Sequence, residues 1–316
     1  MKASVIIPCH NEQKHIAECL NALRAQDEKC EVIVVDDAST DETAQIVKKF
    51  KNVQYFRQEK KGPAAARNLG ARKAKGEILI FTDADCVPEK NFTREMLKPF
   101  AEKEIAGVQG AYRTRQKNWM ARFSQLEIEE RYEKMKKNPY IDFVSTYAAA
   151  YRKNDFAGQG GFDEKFPTAS GEDTEFSYAL SERGKKLAFA PNAIVFHSHP
   201  ESLAQYLHVK FFRGFWRVRL YSKHRGKMLK DSYTTTALKA QIALATLLVL
   251  GILLSSFTQW IAAIALVLMI ASAWPFLRFC AKKDKAVAGT VPTVVFLRSF
   301  AFLSGLAWGL AKGVNK

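Results

Sequence analysis

Cysteine is scarce and scattered in this chain of 316 residues: Cys9, Cys19, Cys30, Cys86 and Cys280. An odd number without a CxxC pair makes neither a disulfide framework nor a structural zinc site. Seventeen Gly and ten Pro are too few for a collagen-like or low-complexity chain. No secretory signal peptide is expected, because Ala3-Ser-Val-Ile-Ile-Pro8 is too short for the apolar region and polar residues follow at once. Acidic side chains are nearly missing from residues 205–316, which hold 2 against 16 Lys and Arg. Residues 1–204 hold 30 against 32. The net charge of +16 therefore belongs to the C-terminal third, and the near-neutral remainder offers no broad basic surface for nucleic acid. With 47% apolar and 25% charged residues, the chain has ample material for a buried core and is not disordered.

Three apolar runs of strand length stand at residues 3–8, 31–36 and 77–82. Helical patterns lie between them, over about His15 to Arg24, Glu42 to Phe50 and Pro63 to Lys75. This alternation predicts an α/β domain with a Rossmann-like, largely parallel sheet. Ligands of such sheets sit at the carboxyl ends of the strands. Those ends carry Cys9-His-Asn-Glu12, Asp36-Asp37 and Asp83-Ala-Asp85.

From about Ala237 the character changes. Ala240 to Phe257 is uncharged, and Trp260 to Phe276 is a second apolar stretch; both approach the length of about 20 residues that spanning requires. Lys282-Lys-Asp-Lys285 and the segment before the first stretch are basic, so the positive-inside rule puts the N-terminal domain in the cytoplasm. Unpaired cysteines agree with that compartment. A third stretch, Ala286 to Leu310, is interrupted by Pro292 and Arg298 and either spans or lies re-entrant or interfacial.

Several constellations carry chemistry. Two carboxylates spaced i, i+2 at a strand end, Asp83 and Asp85, suit a hard cation such as Mg²⁺ or Mn²⁺ bridging to phosphates, or form a solvated acidic turn. Lys61-Gly-Pro-Ala-Ala-Ala-Arg67 opens a helix at a turn, so that its N-terminus and Arg67 face an anion, or Arg67 is an ordinary solvated side chain. Ser170-Gly-Glu172-Asp173 opens another helix, where the acids either compensate the dipole or supply a general base. His197 and His199 share one side of an extended segment, as surface residues or as a ligand completing the metal site.

In order, Val5-Ile-Ile-Pro-Cys-His-Asn-Glu12, Val34-Val-Asp-Asp-Ala-Ser-Thr-Asp41, Gly62 to Asn68, Thr82-Asp-Ala-Asp85, Gly160-Gly-Phe-Asp-Glu164 and Gly171-Glu-Asp-Thr-Glu175 resemble the family 2 glycosyltransferases. These are inverting, nucleotide-sugar-dependent enzymes with a GT-A fold, and the resemblance covers about residues 3–205. It implies that Pro8, His10, Glu12, Asp36, Asp37, Arg67 and Asp83 line the nucleotide-sugar pocket. It implies that Asp83 and Asp85 hold Mn²⁺ or Mg²⁺ on the diphosphate, with His197 or His199 as a further ligand. Asp173, beside Glu172, is then the base, and Gly160, Gly161, Phe162 and Asp163 shape the acceptor side. His10 departs from the family's usual Tyr; an imidazole still packs on a base ring, so the departure bears on the nucleotide rather than the class.

The expected organisation is a GT-A catalytic domain over 1–204, a basic aromatic interfacial segment over 205–236 and a membrane domain of two to three helices over 237–316. In the middle segment Leu203, Leu207, Phe211, Phe215 and Val218 recur at helical spacing beside Lys210, Arg213 and Arg217. That composition suits a helix lying on anionic lipid, or one packed with its aromatics in a core. A polyprenyl-phosphate acceptor is already anionic, so a carboxylate base favours a hydroxyl on a lipid-linked or membrane-associated glycan. A polyprenyl-phosphate glycosyltransferase and a nucleotidyltransferase are the rival readings.

Overall fold

The computed structural model describes every residue except 167–170, 229–233, 255–257 and 315–316. Ser170 and residues 255–257, the end of the first uncharged stretch, thus lie outside the described residues. The chain forms two compact units, Met1–Arg115 with Lys134–Ser198, and Gln116–Glu133 with His199–Lys316. The stretch Gln116–Glu133 lies within residues 1–204 in sequence and in the second unit in space.

The first unit runs β1 (Ala3–Cys9), α1 (Ile16–Arg24), β2 (Glu31–Asp37), α2 (Thr43–Lys48), β3 (Val53–Gln58), α3 (Pro63–Lys73), β4 (Ile78–Phe81), β5 (Val87–Pro88), α4 (Phe92–Leu97) and β6 (Ile105–Arg113). After α5 (Trp119–Met135), most of which belongs to the second unit, come β7 (Ala149–Arg152), α6 (Lys153–Gly158), α7 (Glu172–Glu182) and β8 (Lys186–Phe196). Among the described residues the strands form one sheet in the order β3-β2-β1-β4-β7-β6-β8-β5. β1 and β4 are buried along their whole length, which is why they read as unbroken apolar runs rather than as alternating ones.

The sheet is mixed, with parallel pairing in the majority as expected. β1–β2, β2–β3, β1–β4 and β6–β8 pair parallel, whereas β4–β7, β6–β7 and β5–β8 pair antiparallel. The later strands lack a clean apolar signature: Gly107, Gln109 and Gly110 dilute β6, and Pro191 and Asn192 interrupt β8. The topology nevertheless gathers one edge. β1 and β2 end together, with Cys9 opposite Asp36, and β4 ends beside β1, with Phe81 opposite Ile6. Two antiparallel steps from β4 through β7 to β6 restore the direction, and β8 runs parallel to β6, so Phe196 finishes at the same edge. From β1 the chain proceeds outward to β2 and β3, then returns to add β4 on the other side. That reversal opens a crevice between the ends of β1 and β4.

In the second unit, α8 (Leu203–Lys223), α9 (Thr236–Leu253), α10 (Gln259–Ser272), α11 (Trp274–Lys283), α12 (Lys285–Ala288) and α13 (Val291–Ala311) follow α5. Thr236–Leu253, Gln259–Lys283 and Val291–Ala311 are long and apolar enough to cross a membrane by length and composition. Pro292 does not break the last of these, since it sits in the first turn, where no amide hydrogen is required. α8 packs on α13 through glycines. A Cβ on Gly305 would collide with the Phe211 carbonyl, and one on Gly309 would lie 2.6 Å from that of Phe215. The GxxxG spacing thus serves close helix approach. Lys210 and Arg217, expected on a lipid-facing side, are instead buried, because Glu127 of α5 pairs with Lys210 at 2.7 Å and Thr234 accepts from Arg217 at 2.6 Å.

Candidate active site

The crevice between β1 and β4 holds a cavity of about 710 Å³. Of the residues singled out in the sequence, Pro8, His10, Glu12, Asp37, Arg67, Asp83, Asp85 and His197 line it. All but Arg67, which comes from the second turn of α3, arrive from a strand end or the turn after it, so the sheet supplies most of the convergence.

Asp37 organises one wall. Its Oδ1 accepts from the Lys61 and Gln58 nitrogens at 2.8 Å and its Oδ2 from the Gly62 amide at 2.8 Å. These bonds hold the Lys60-Lys61-Gly62 turn ahead of α3, where Gly62 adopts φ 89° before Pro63. His10 Nδ1 donates to the Asp37 carbonyl at 2.8 Å, which leaves Nε2 to accept from Lys60 at 3.2 Å. Asp36 stands apart from the cavity: buried, it accepts from the Ser39 amide at 2.7 Å and the Tyr55 hydroxyl at 2.6 Å.

The floor is acidic. Asp83 and Asp85 present carboxylate oxygens within 4.8 Å of each other and of the Cys86 sulfur. His197 Nε2 lies 3.0 Å from Asp85 Oδ2. Burial would raise the Asp85 carboxyl, but the hydrogen bond and charge of His197 outweigh it and hold the carboxyl below its ordinary value. Conversely, burial would lower the His197 imidazole, and the Asp85 bond with the Asp85, Asp83 and Glu12 charges raises it. Burial, together with the charges of Asp85, Asp83 and Asp41, pushes the Glu12 carboxyl up to about 7.

Arg67 does not extend into the cavity as a free cation. Its guanidinium is buried between Asp83 Oδ1 at 2.7 Å and Glu172 Oε1 at 2.8 Å. Glu172 is itself buried and also accepts from the Gly171 amide at 3.1 Å. The next residue, Asn68, ties two distant motifs together: it donates to the Phe162 carbonyl and to Glu164, and accepts from the Phe162 amide, all at 2.9 Å. Gly161, at φ 76°, permits this approach, since a Cβ there would lie 2.6 Å from Asn68 Oδ1. Phe162 anchors the loop in a ring cluster with Phe81, Phe156 and Phe176, while Asp163 accepts from the Lys165 amide. The Gly160 turn contributes Glu164 to the cavity.

Neither Asp173, which follows the Arg67 partner Glu172, nor His199 lines the cavity. Asp173 Oδ2 accepts from the Ser145 hydroxyl at 2.9 Å and the Thr146 amide at 3.3 Å, and Oδ1 from the Thr174 amide at 2.6 Å and hydroxyl at 3.2 Å. His199 Nε2 meets Gln125 Oε1 at 3.0 Å within the second unit.

A profile described as Glycosyl transferase family 2 matches residues 4–158, the stretch that contains β1 to β7 except for Ala3. Residues 4–158 are a family 2 glycosyltransferase domain. It is 28% identical over 251 residues to a pre-mycofactocin glycosyltransferase of Mycobacterium tuberculosis, covering 77% of this chain and 52% of the relative. It is 30% identical over 206 residues to the glycosyltransferase AglE of Haloferax volcanii, covering 61% of this chain and 66% of the relative. The chain thus spans about half the length of the first of these relatives. In structure it is similar to a mannosyltransferase from Pyrobaculum calidifontis in complex with GDP-Man and Mn²⁺, with a TM-score of 0.66, 22% identity and coverage of 98% and 87% of the two chains. That likeness is one of fold: a mixed α/β sheet of GT-A type.

The donor set fits a divalent metal of the kind this family implies. Asp83 and Asp85 are hard oxygen ligands, and His197 is a borderline nitrogen at hydrogen-bond distance from one of them. Cys86, a buried thiol pushed far above its ordinary value, is a soft ligand that suits Mg²⁺ or Mn²⁺ less than the carboxylates do. Sequence reasoning missed Lys60, Lys61 and Glu164 as lining residues. For the lysines a signal existed, since they precede Gly62-Pro63 directly. Glu164 closes the Gly160-Gly-Phe-Asp motif, but its place in the cavity depends on Asn68, 96 residues earlier.

Proposed function

We propose that the protein transfers a sugar from a nucleoside-diphosphate sugar to a hydroxyl of a lipid-linked or membrane-associated glycan, at the cytoplasmic face of the membrane its apolar helices cross. The observation that carries this reading is the β1–β4 cavity, where Glu12, Asp83, Asp85 and His197 meet two lysines. Its volume of about 710 Å³ suits a nucleotide sugar, within the usual range of about 300–1,000 Å³ for ligand pockets. The fold neighbour binds GDP-Man with Mn²⁺, in keeping with such a donor and metal. We assign Asp83, Asp85 and His197, rather than His199, to the cation, which when bound neutralises charge on the diphosphate.

In the transfer the bond between the anomeric carbon and the phosphate oxygen breaks, and a bond to the acceptor oxygen forms on the opposite face. The electron pair leaves on the nucleoside diphosphate, where Lys60 and Lys61 add positive charge. The acceptor proton passes to Asp173, with Glu172 excluded from that role by its pairing with Arg67. The Ser145 and Thr174 hydroxyls on Asp173 rotate, so an acceptor hydroxyl can take the place of one of them.

One observation favours a second reading. Four donors already occupy Asp173, and a polyprenyl-phosphate acceptor, being an anion, requires no base. Membranes holding the full chain, incubated with a panel of nucleotide sugars and Mn²⁺ or Mg²⁺, test the proposal by release of nucleoside diphosphate. Asp85→Asn should abolish that release, and unchanged release would overturn the metal assignment. Loss of turnover in Asp173→Asn supports a hydroxyl acceptor, whereas a rate within about fivefold of the parent supports the phosphate acceptor. Pyrophosphate as the product would mean nucleotidyl transfer instead.

A further inference from the structure

The second unit contains a cavity of its own, about 50 Å³, whose lining the transfer chemistry does not use. Lys210, Arg213 and Arg217 of α8 line it with Arg131 of α5 and Arg298 of α13, and among the described residues Glu127 and Glu130 are the carboxylates. This is a cation-rich chamber, and its cations are not a solvated face: Lys210, Arg217 and Arg298 are all buried. Glu127 binds both Lys210 and Arg298, so one carboxylate serves two buried cations. Arg298 also donates to Gln241 at 2.6 Å, yet its buried Nε has no hydrogen-bond partner among the described residues. Arg213 is exposed and makes no ion pair among them.

The position of the chamber is equally informative. Thr235, Ala237 and Leu238 at the start of α9 line it, and so does Ser272 at the end of α10. These two helices run in opposite senses in contact with each other, so the start of one and the end of the other mark the same end of an apolar hairpin. On the reading that this hairpin crosses the membrane, its end lies at headgroup depth. The amino end of α9, whose first-turn amides carry partial positive charge, adds to the field. Burial pulls the Lys210 ammonium down to about 7 although the charge of Glu127 opposes it, and Arg213, Arg131 and Arg298 add to the shift. A volume of about 50 Å³ exceeds the 10–15 Å³ one water needs and admits a phosphate group, but not a nucleotide.

We propose that this chamber is a binding site for the phosphate of an anionic membrane lipid, with the lipid chains lying along α9 and α13. The reading extends the membrane assignment and is independent of which sugar or acceptor the first unit uses.

The test uses the full chain in detergent, with its unfolding midpoint followed as dioleoyl phosphatidylglycerol, dioleoyl phosphatidylcholine or glycerol 1-phosphate is titrated in. A ligand that binds the native state raises the midpoint saturably. The phosphatidylglycerol curve should saturate, with the other two ligands producing little shift at the same concentration. Arg213→Gln, which removes an exposed side chain, should raise the half-saturating phosphatidylglycerol concentration about tenfold, the loss expected for one charge-assisted hydrogen bond. Lys282→Gln, an equal change of charge outside the cavity, should leave it unchanged, as should Asp85→Asn, which instead removes turnover. Equal shifts with phosphatidylcholine, or equal losses in Arg213→Gln and Lys282→Gln, would overturn the site in favour of diffuse attraction. A full response to glycerol 1-phosphate would overturn the lipid as its occupant. A lipid response that persists while no nucleotide sugar is turned over would sink the transfer reading and leave this one standing.

Discussion

Replacing Arg67 with Met would strip two carboxylates of one shared counter-ion. The guanidinium, 2% exposed, bridges Asp83, which is 29% exposed, and Glu172, which is 1% exposed. Asp83 keeps contact with solvent, so most of the penalty falls on Glu172. Removing one partner of a buried pair costs about 3–5 kcal/mol, and Met leaves little void to add to this. For a unit of this size the unfolding midpoint should fall by roughly 6–20 °C. The sign of the pH dependence follows from the same contact. An unpaired, buried Glu172 has its carboxyl raised above the unfolded value, and such a group favours folding below the unfolded pKa and loses that contribution as pH climbs through the folded one. The deficit should therefore be smaller at about pH 5 than at about pH 8. Adding Glu172→Gln removes the stranded charge and should recover more than half of the lost midpoint. Turnover should not return, because Asp83 remains without its anchor. Thermal unfolding and nucleoside diphosphate release, measured on the same preparations, separate the two effects. A single variant within about 2 °C of the parent, or a double variant no more stable than the single one, would refute the reasoning.

Three further outcomes are expected. Gly161→Ala should destabilise the first unit by about 1–3 kcal/mol and weaken donor binding, because φ is 76° and the new Cβ displaces Asn68, while Gly158→Ala, with open space around it, should change stability by less than about 1 kcal/mol; calorimetry and donor titration would show both. Burial would raise the Glu31 carboxyl, but the Lys75 amide and the Ser4 and Gln54 side chains outweigh it and lower it, so its contribution to stability is present above the unfolded pKa of about 4.3 and lost as pH falls through the folded one. Glu31→Gln should accordingly flatten the acid limb of the unfolding profile, and an unchanged limb would dismiss that assignment. Glu127→Gln leaves Lys210 and Arg298 buried without their carboxylate and should lower stability by about 3–5 kcal/mol, read from thermal unfolding of the full chain in detergent.

The elements that were legible are those whose signal is local. β1, β2 and β4 appear as apolar runs because each is covered on both faces, and α3 announces itself by Gly62-Pro63 at its start. The long apolar helices follow from composition alone, even where Pro292 and Arg298 interrupt the last of them. β6 and β8 were not legible, since glycine, glutamine and proline within them mask the alternation that burial would otherwise impose.

The sequence by itself determined the α/β alternation, the strand-end carboxylates, the ordered family motifs and the separation of a near-neutral region from a basic, apolar one. These are properties of neighbouring residues, set by periodicity and chain stiffness. Only the tertiary structure decided what each charge does. Arg67 looked like a phosphate ligand and holds Asp83 and Glu172, the latter 105 residues away. His197 joins Asp85 because β8 runs parallel to β6, while His199, two residues later, binds Gln125. Lys210 and Arg217 left the expected lipid-facing side for the interior, drawn to groups on other elements. A buried charge takes its partner from whatever the packing brings within about 3 Å, and no spacing rule along the chain encodes that distance.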